Sequence, residues 1–131
     1  MIFFDANFLI SLYVKEHKYK NRATEIWNEL SYEKEKIISS LIIPEVITVL
    51  NVKLKQENEI LEKAFIHMNN NFTIVNDKDM YYMGFLNVLK DKKRLPMFDG
   101  IYMAIMMDLG IKKIVSFNEH FDNKEGIIRI H

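Results

Sequence analysis

The sequence contains no cysteine. That excludes a disulfide framework, a thiolate zinc site and a cysteine nucleophile. No stretch approaches the ~18 uncharged apolar residues of a membrane-spanning helix, because each apolar run is interrupted sooner. The N-terminus lacks the basic segment of a signal peptide, so the cytoplasm is the expected location. Net charge is absent as well, since 18 Lys and Arg balance 18 Asp and Glu. A broadly basic surface is therefore ruled out, and any contact with nucleic acid must come from local patches. No internal repeat, low-complexity tract or linker divides the chain.

What is present is globular composition, with 49% hydrophobic and 27% charged residues in 131. That length supports one core and leaves little room for two, so residues 1–131 are expected to form a single domain. Strand-like runs alternate with helical ones. The apolar run Ile2-Phe3-Phe4 reads as a first strand, with Asp5 at its end and Asn7 as a helix cap. Phe8, Leu9, Leu12 and Tyr13 follow at helical spacing, and a second helix is expected from about Tyr19 to Tyr32, with Trp27 in the core. Lys36 to Ser39 reads as the second strand, and Ser39 and Ser40 offer caps for a helix holding Pro44 and Glu45. Pro44 is tolerated there because first-turn N–H groups have no helical partner to lose. Further helices are expected around Ile60 to Met68, around Met80 to Leu89 behind caps at Asn76 and Asp77, and after Pro96 until Gly110 stops the last. The remaining strands are Phe72 to Val75, Ile114 to Ser116 and Ile127 to Ile130. Short β-branched runs separated by helices predict an α/β fold with a parallel sheet covered on both faces.

Three acids stand apart because apolar residues flank each on both sides: Asp5 in IFFDANFL, Glu45 in LIIPEVITVL and Asp99 in LPMFDGIYMAI. A lone carboxylate buried among such neighbours costs several kcal/mol unless something compensates it. No Lys or Arg adjoins any of them. The polar cluster Ser116-Phe117-Asn118 follows a strand in the same way as Asp5. Acids gathered at strand ends suit a divalent metal, since Mg²⁺ takes hard oxygen ligands and is commonly shared with substrate phosphates. Such a site can activate water against a phosphodiester.

In order and spacing, Asp5 with Asn7, Glu45, Asp99 heading DGIYMAIMMDLGI, and Ser116-Phe117-Asn118-Glu119-His120-Phe121 resemble the PIN domain, and in size and layout the VapC ribonuclease toxins. The resemblance spans nearly the whole chain. It implies a three-layer α/β/α fold with a five-stranded parallel sheet, Mg²⁺- or Mn²⁺-dependent endoribonuclease activity, a cognate antitoxin of a type II toxin–antitoxin pair, and a homodimer. It also implies that Asp5, Glu45 and Asp99 are the metal-holding acids, with Asn7 and Ser116 in support. Asn118 stands where many members carry a fourth acid and is counted with the three acids among the catalytic and metal-site residues, its amide oxygen able to accept from a metal-bound water. Its amide brings no charge, which predicts weaker binding of a second metal and favours a one-metal mechanism; Glu119 and Asp122 are the nearby acids that would substitute.

Each residue also has a plainer reading. Asp5 and Asp99 suit helix N-termini, Glu45 suits a first turn, and Asn118 suits a turn. It is their coincidence that points to chemistry. His17, His67, His120 and His131 share no ligand spacing and are read as surface or turn residues. Met103, Met106 and Met107 read as core or dimer face. RNA contacts are expected from Lys15, Lys18, Lys20 and Arg22 after the first helix, and from Lys90, Lys92, Lys93 and Arg94 before the Asp99 helix. Two alternatives remain: a catalytically weak or inactive PIN-like binding module, suggested by Asn118, and a haloacid dehalogenase-like phosphatase using Asp5. The phosphatase needs a second Asp where Asn7 stands, and a Lys that is not evident.

Overall fold

The central strand is the one the sequence makes most apolar. In the computed structural model, which describes residues 1–131, β1 (Ile2–Phe4) has all three residues buried. Strand β2 (Lys36–Ser39) lies on one side of it and β4 (Lys113–Val115) on the other, with β3 (Thr73–Val75) and β5 (Ile128–Ile130) outside, giving the order β3-β2-β1-β4-β5. Every pairing is parallel, with Phe3 opposite both Ile37 and Ile114. A central strand covered on both faces has no solvent side, which is why β1 reads as an unbroken apolar run and not as an alternation.

Six helices complete a three-layer α/β/α arrangement: α1 (Ala6–Tyr13), α2 (Lys20–Glu29), α3 (Ile42–Thr48), α4 (Asn58–Asn71), α5 (Tyr81–Lys90) and α6 (Met97–Leu109). None is long and apolar enough to cross a membrane. Aromatic residues tie the layers together. Phe4 packs edge-on to Phe72 at 5.2 Å and to Trp27 at 5.9 Å, so Trp27 joins the core from α2 although it is only half-buried.

Several boundaries differ from those expected. Helix α2 stops at Glu29, and Phe72 belongs to the end of α4, where its extended backbone leads into β3. Ser39 accepts from the Leu41 N–H at 3.2 Å, but the Ser40 hydroxyl instead donates to Asp77, so Ser40 is not a cap. Asn76 accepts from the Lys78 N–H at 2.8 Å, starting a 3₁₀ turn (Lys78–Met80) ahead of α5. Helix α3 continues into a π-helical turn (Val49–Lys53), in which the Leu54 N–H reaches the Val49 carbonyl. Gly110 ends α6 at φ 70°, the left-handed stop expected of it.

Helices α5 and α6 meet at two glycines. A Cβ on Gly100 would lie 2.5 Å from the Gly84 carbonyl oxygen, and one on Gly84 would lie 3.0 Å from the Ile101 backbone. Only hydrogen allows that approach, and Gly100 immediately follows Asp99, so the contact fixes the start of α6.

Candidate functional site

Asp5, Glu45 and Asp99 reach one region from three elements. Asp5 ends β1 with its backbone still extended, is 4% exposed, and caps α1: its Oδ1 accepts from the Ala6 N–H at 2.8 Å. Its Oδ2 accepts from the Ser116 hydroxyl at 2.7 Å. Glu45 lies in the first turn of α3, and its Oε2 accepts from the Tyr102 hydroxyl at 2.7 Å. Asp99 lies in the first turn of α6, is 6% exposed, and has Oδ2 2.9 Å from Nδ1 of His120.

The electrostatics tie the three together. Burial, then the charge of Asp99, pushes the Asp5 carboxyl up to about 7, and Glu45 adds to this against the Ser116 and Ala6 hydrogen bonds. Glu45 is raised by burial and by Asp99, with the Tyr102 bond opposing. Asp99 is raised by burial, with His120 opposing. Tyr102 is held firmly protonated by burial and by all three acids, which makes it a fixed donor to Glu45. No Lys or Arg forms a salt bridge with any of the three.

In this arrangement no three acidic or histidine side chains close on a single point, since Asp99 is turned to His120 and Glu45 to Tyr102. The donor chemistry nonetheless fits a divalent cation. Three hard carboxylates, of which Asp99 disfavours the ionisation of the other two, with no Lys or Arg to neutralise them, match the ligands Mg²⁺ or Mn²⁺ prefers.

The supporting residues differ from expectation in detail. Asn7 is not the helix cap, because α1 already begins at Ala6 and Asp5 holds that position. Instead its Oδ1 accepts from the Phe117 N–H at 3.2 Å and the Ser116 hydroxyl at 3.3 Å, bracing the loop after β4 against α1. Asn118 donates its N–H to Ser116 Oγ at 3.0 Å, while its Oδ1 caps the 3₁₀ turn Glu119–Phe121 by accepting from the His120 N–H at 2.9 Å. Asp122 is engaged elsewhere, clasped by Arg129 at 2.6 and 2.9 Å, and Glu119 is exposed.

Two neighbours of the acids escaped the sequence reading. His120 sits on a turn as expected but also contacts Asp99, from which it is 21 residues away with no spacing to signal it. Tyr102 had only an apolar helical context to read. His67 is not a surface residue either: it lies in α4, half-buried, against Trp27 and 2.6 Å from the Tyr13 hydroxyl. Met106 is core, whereas Met107 is exposed.

The basic candidates scatter. Lys15 lines a separate polar recess with Lys55 and Glu57, Lys20 donates to the Leu12 carbonyl, and Arg22 pairs with Glu25 and Glu29. Lys92, Lys93 and Arg94 are exposed on the loop before α6, and the charge of Lys93 is felt at Asp122. Lys18, with Lys53 from the π-helical turn, lines a groove beside Asn7.

No curated protein matches the chain by sequence. Several solved structures share its fold. Mycobacterium tuberculosis VapC20, described as a sarcin-ricin loop cleaving toxin, aligns over 91% of each chain at 18% identity with a TM-score of 0.79. A Klebsiella pneumoniae toxin–antitoxin complex aligns over 98% of this chain and 96% of its own at 23% identity and a TM-score of 0.65. Rickettsia felis VapBC2, bound to a promoter DNA fragment, aligns over 99% and 98% at 12% identity and a TM-score of 0.72. The family of PIN domains matches residues 2–127, from the first strand through the loop that carries His120, and the chain belongs to that family.

Proposed function

We propose that the chain is a Mg²⁺- or Mn²⁺-dependent endoribonuclease and the toxin of a type II toxin–antitoxin pair acting in the cytoplasm. The observation that carries this reading is a region holding three carboxylates, Asp5 and Asp99 buried and Glu45 half-buried, each raised above its ordinary pKa, with no basic side chain paired to them apart from His120. Asp5, Glu45 and Asp99 would hold the cation, while Asn118, bonded to Ser116 through its N–H, has its Oδ1 engaged by the His120 N–H. A divalent ion so held supplies Lewis-acid activation of water and neutralises charge on the phosphodiester.

The chain's own groups prepare the acids. Ser116 fixes the Asp5 carboxylate, Tyr102 fixes Glu45 and His120 fixes Asp99, each through one hydrogen bond. Asn7 anchors Ser116 and Phe117. The Asp5 carboxyl, raised to about 7 by burial and by Asp99, would have to be ionised to hold the cation. With Asp122 occupied by Arg129, no fourth acid reaches the site, which supports a one-metal mechanism.

The toxin–antitoxin role draws on the similar structures, one described as a toxin and another as a toxin–antitoxin complex. A homodimer is proposed from the exposed apolar side chains of α5, among them Tyr82, Phe85 and Leu89. Membership of the PIN family leaves the phosphatase alternative without support. Cleavage of single-stranded RNA that stops in chelator and returns with Mg²⁺ or Mn²⁺ is the expected outcome of the direct assay. Cleavage that persists in chelator overturns the metal mechanism, and RNA that stays intact with either ion favours the inactive binding module.

A further inference from the structure

We propose that Tyr19, backed by Phe117, is a stacking subsite for a nucleobase of single-stranded RNA, in the groove that opens beside Asn7. The inference rests on the ribonuclease reading and adds how the substrate is held. A ladder of aromatic rings runs from the core to the surface: Phe4 to Phe8 at 5.6 Å, Phe8 to Phe117 at 6.0 Å, and Phe117 to Tyr19 at 4.6 Å with only 20° between the last two planes. Tyr19 is the exposed end, 39% accessible, on the turn before α2. The His17 ring, which also lines the groove, lies 5.8 Å from the Tyr19 ring at a 36° tilt.

The groove has a volume of about 420 Å³, within the range of small-molecule sites, and its walls include Asn7, Ser11, Lys18, Lys53, Tyr19 and Phe117. No acidic residue lines it. In a chain of zero net charge this is a local cationic patch of the kind that RNA binding needs. It also adjoins the acids, because Asn7 accepts from Ser116 and Phe117 while Ser116 donates to Asp5. The groove wall is thus joined to the Asp5 carboxylate through Ser116 alone.

The occupant follows from the two features together. Every base offers a π-face, so a ring platform binds single strands with little sequence preference, and lysines track the backbone. Lys18 Nζ lies 4.9 Å from the Tyr19 ring centroid. An exposed cation–π contact of this type is weak and its stem flexible, so the ammonium can move to a phosphate and yield the ring to a base.

The test is binding of a short single-stranded RNA carrying 2-aminopurine, in chelator so that the RNA stays whole, to the wild type, Tyr19→Phe and Tyr19→Leu. Quenching of the probe by the wild type and Tyr19→Phe, lost in Tyr19→Leu with about 5- to 150-fold weaker affinity, is the expected result. An abasic nucleotide at the quenched position should weaken binding to the wild type by a similar factor, a measurement that needs no variant to fold. Unchanged quenching and affinity in Tyr19→Leu overturn the subsite, as does a Tyr19→Leu defect toward an acidic peptide with RNA binding intact. If the wild type cleaves RNA and Tyr19→Leu behaves identically, the subsite alone fails; if the wild type neither binds nor cleaves RNA, the ribonuclease reading falls with it.

Discussion

A carboxyl pushed up to about 7, as Asp5 is by burial and by Asp99, remains partly protonated at neutral pH. Its folded-state value lies above its unfolded one of 3.8, so the folded state binds the extra proton between them. Stability from this group is full below the unfolded value and is lost as pH rises through about 7. The raised values of Glu45 and Asp99 act in the same direction. The ion-free protein should therefore melt at a lower temperature at about pH 8 than at about pH 5, by an amount equivalent to roughly 1–3 kcal/mol. Added Mg²⁺ should remove most of the difference, and thermal denaturation in chelator and in Mg²⁺ measures both effects. Tyr102 is tested at the same scale. Tyr102→Phe takes away the 2.7 Å bond to Glu45, which should cost about 1–3 kcal/mol and lower the cleavage rate more than substrate affinity. Equal losses in kcat and in RNA binding would contradict the positioning role.

At the scale of elements, the site depends on where three helices begin. Each acid stands at or within a first turn, where the N-terminal field of the helix offsets part of the cost of gathering negative charge. The start of α6 is set by the contact between Gly84 and Gly100, reinforced by Asn87 donating to the Gly100 carbonyl at 2.9 Å. Gly100→Ala puts a methyl group 2.5 Å from the Gly84 carbonyl oxygen, so α5 and α6 must separate. A destabilisation of about 1–3 kcal/mol by chemical denaturation is expected, with a fall in cleavage rate beyond what the lost folded fraction explains. Full activity in the folded fraction would show that the contact does not position Asp99.

Across the whole molecule, the elements written as local patterns were legible in the sequence and the contacts between them were not. β1 announced itself because a doubly covered strand is apolar throughout, and Asp5, Glu45 and Asp99 stood out because they interrupt apolar runs. The left-handed stop at Gly110 was a local signal too. His120, Tyr102 and the Gly84–Gly100 approach depend on partners brought near only by folding, and no spacing along the chain encodes them. Asn7 as the helix cap is two residues late, because the cap is Asp5, whose place at a helix N-terminus the sequence also suggests. Lys53 gained its place from the π-helical turn, which redirects the chain after α3 in a way propensity does not foretell.

The metal claim can be tested before any RNA target is known. Titration of Mn²⁺ into the protein at neutral pH, followed by calorimetry or electron paramagnetic resonance, should show one saturable ion per chain, with proton release on binding and loss of the site in Asp99→Asn that keeps its fold by circular dichroism. Two tightly held ions would contradict the consequence drawn from Asn118, and the absence of saturable binding, or binding indifferent to Asp99→Asn, would contradict the metal centre itself.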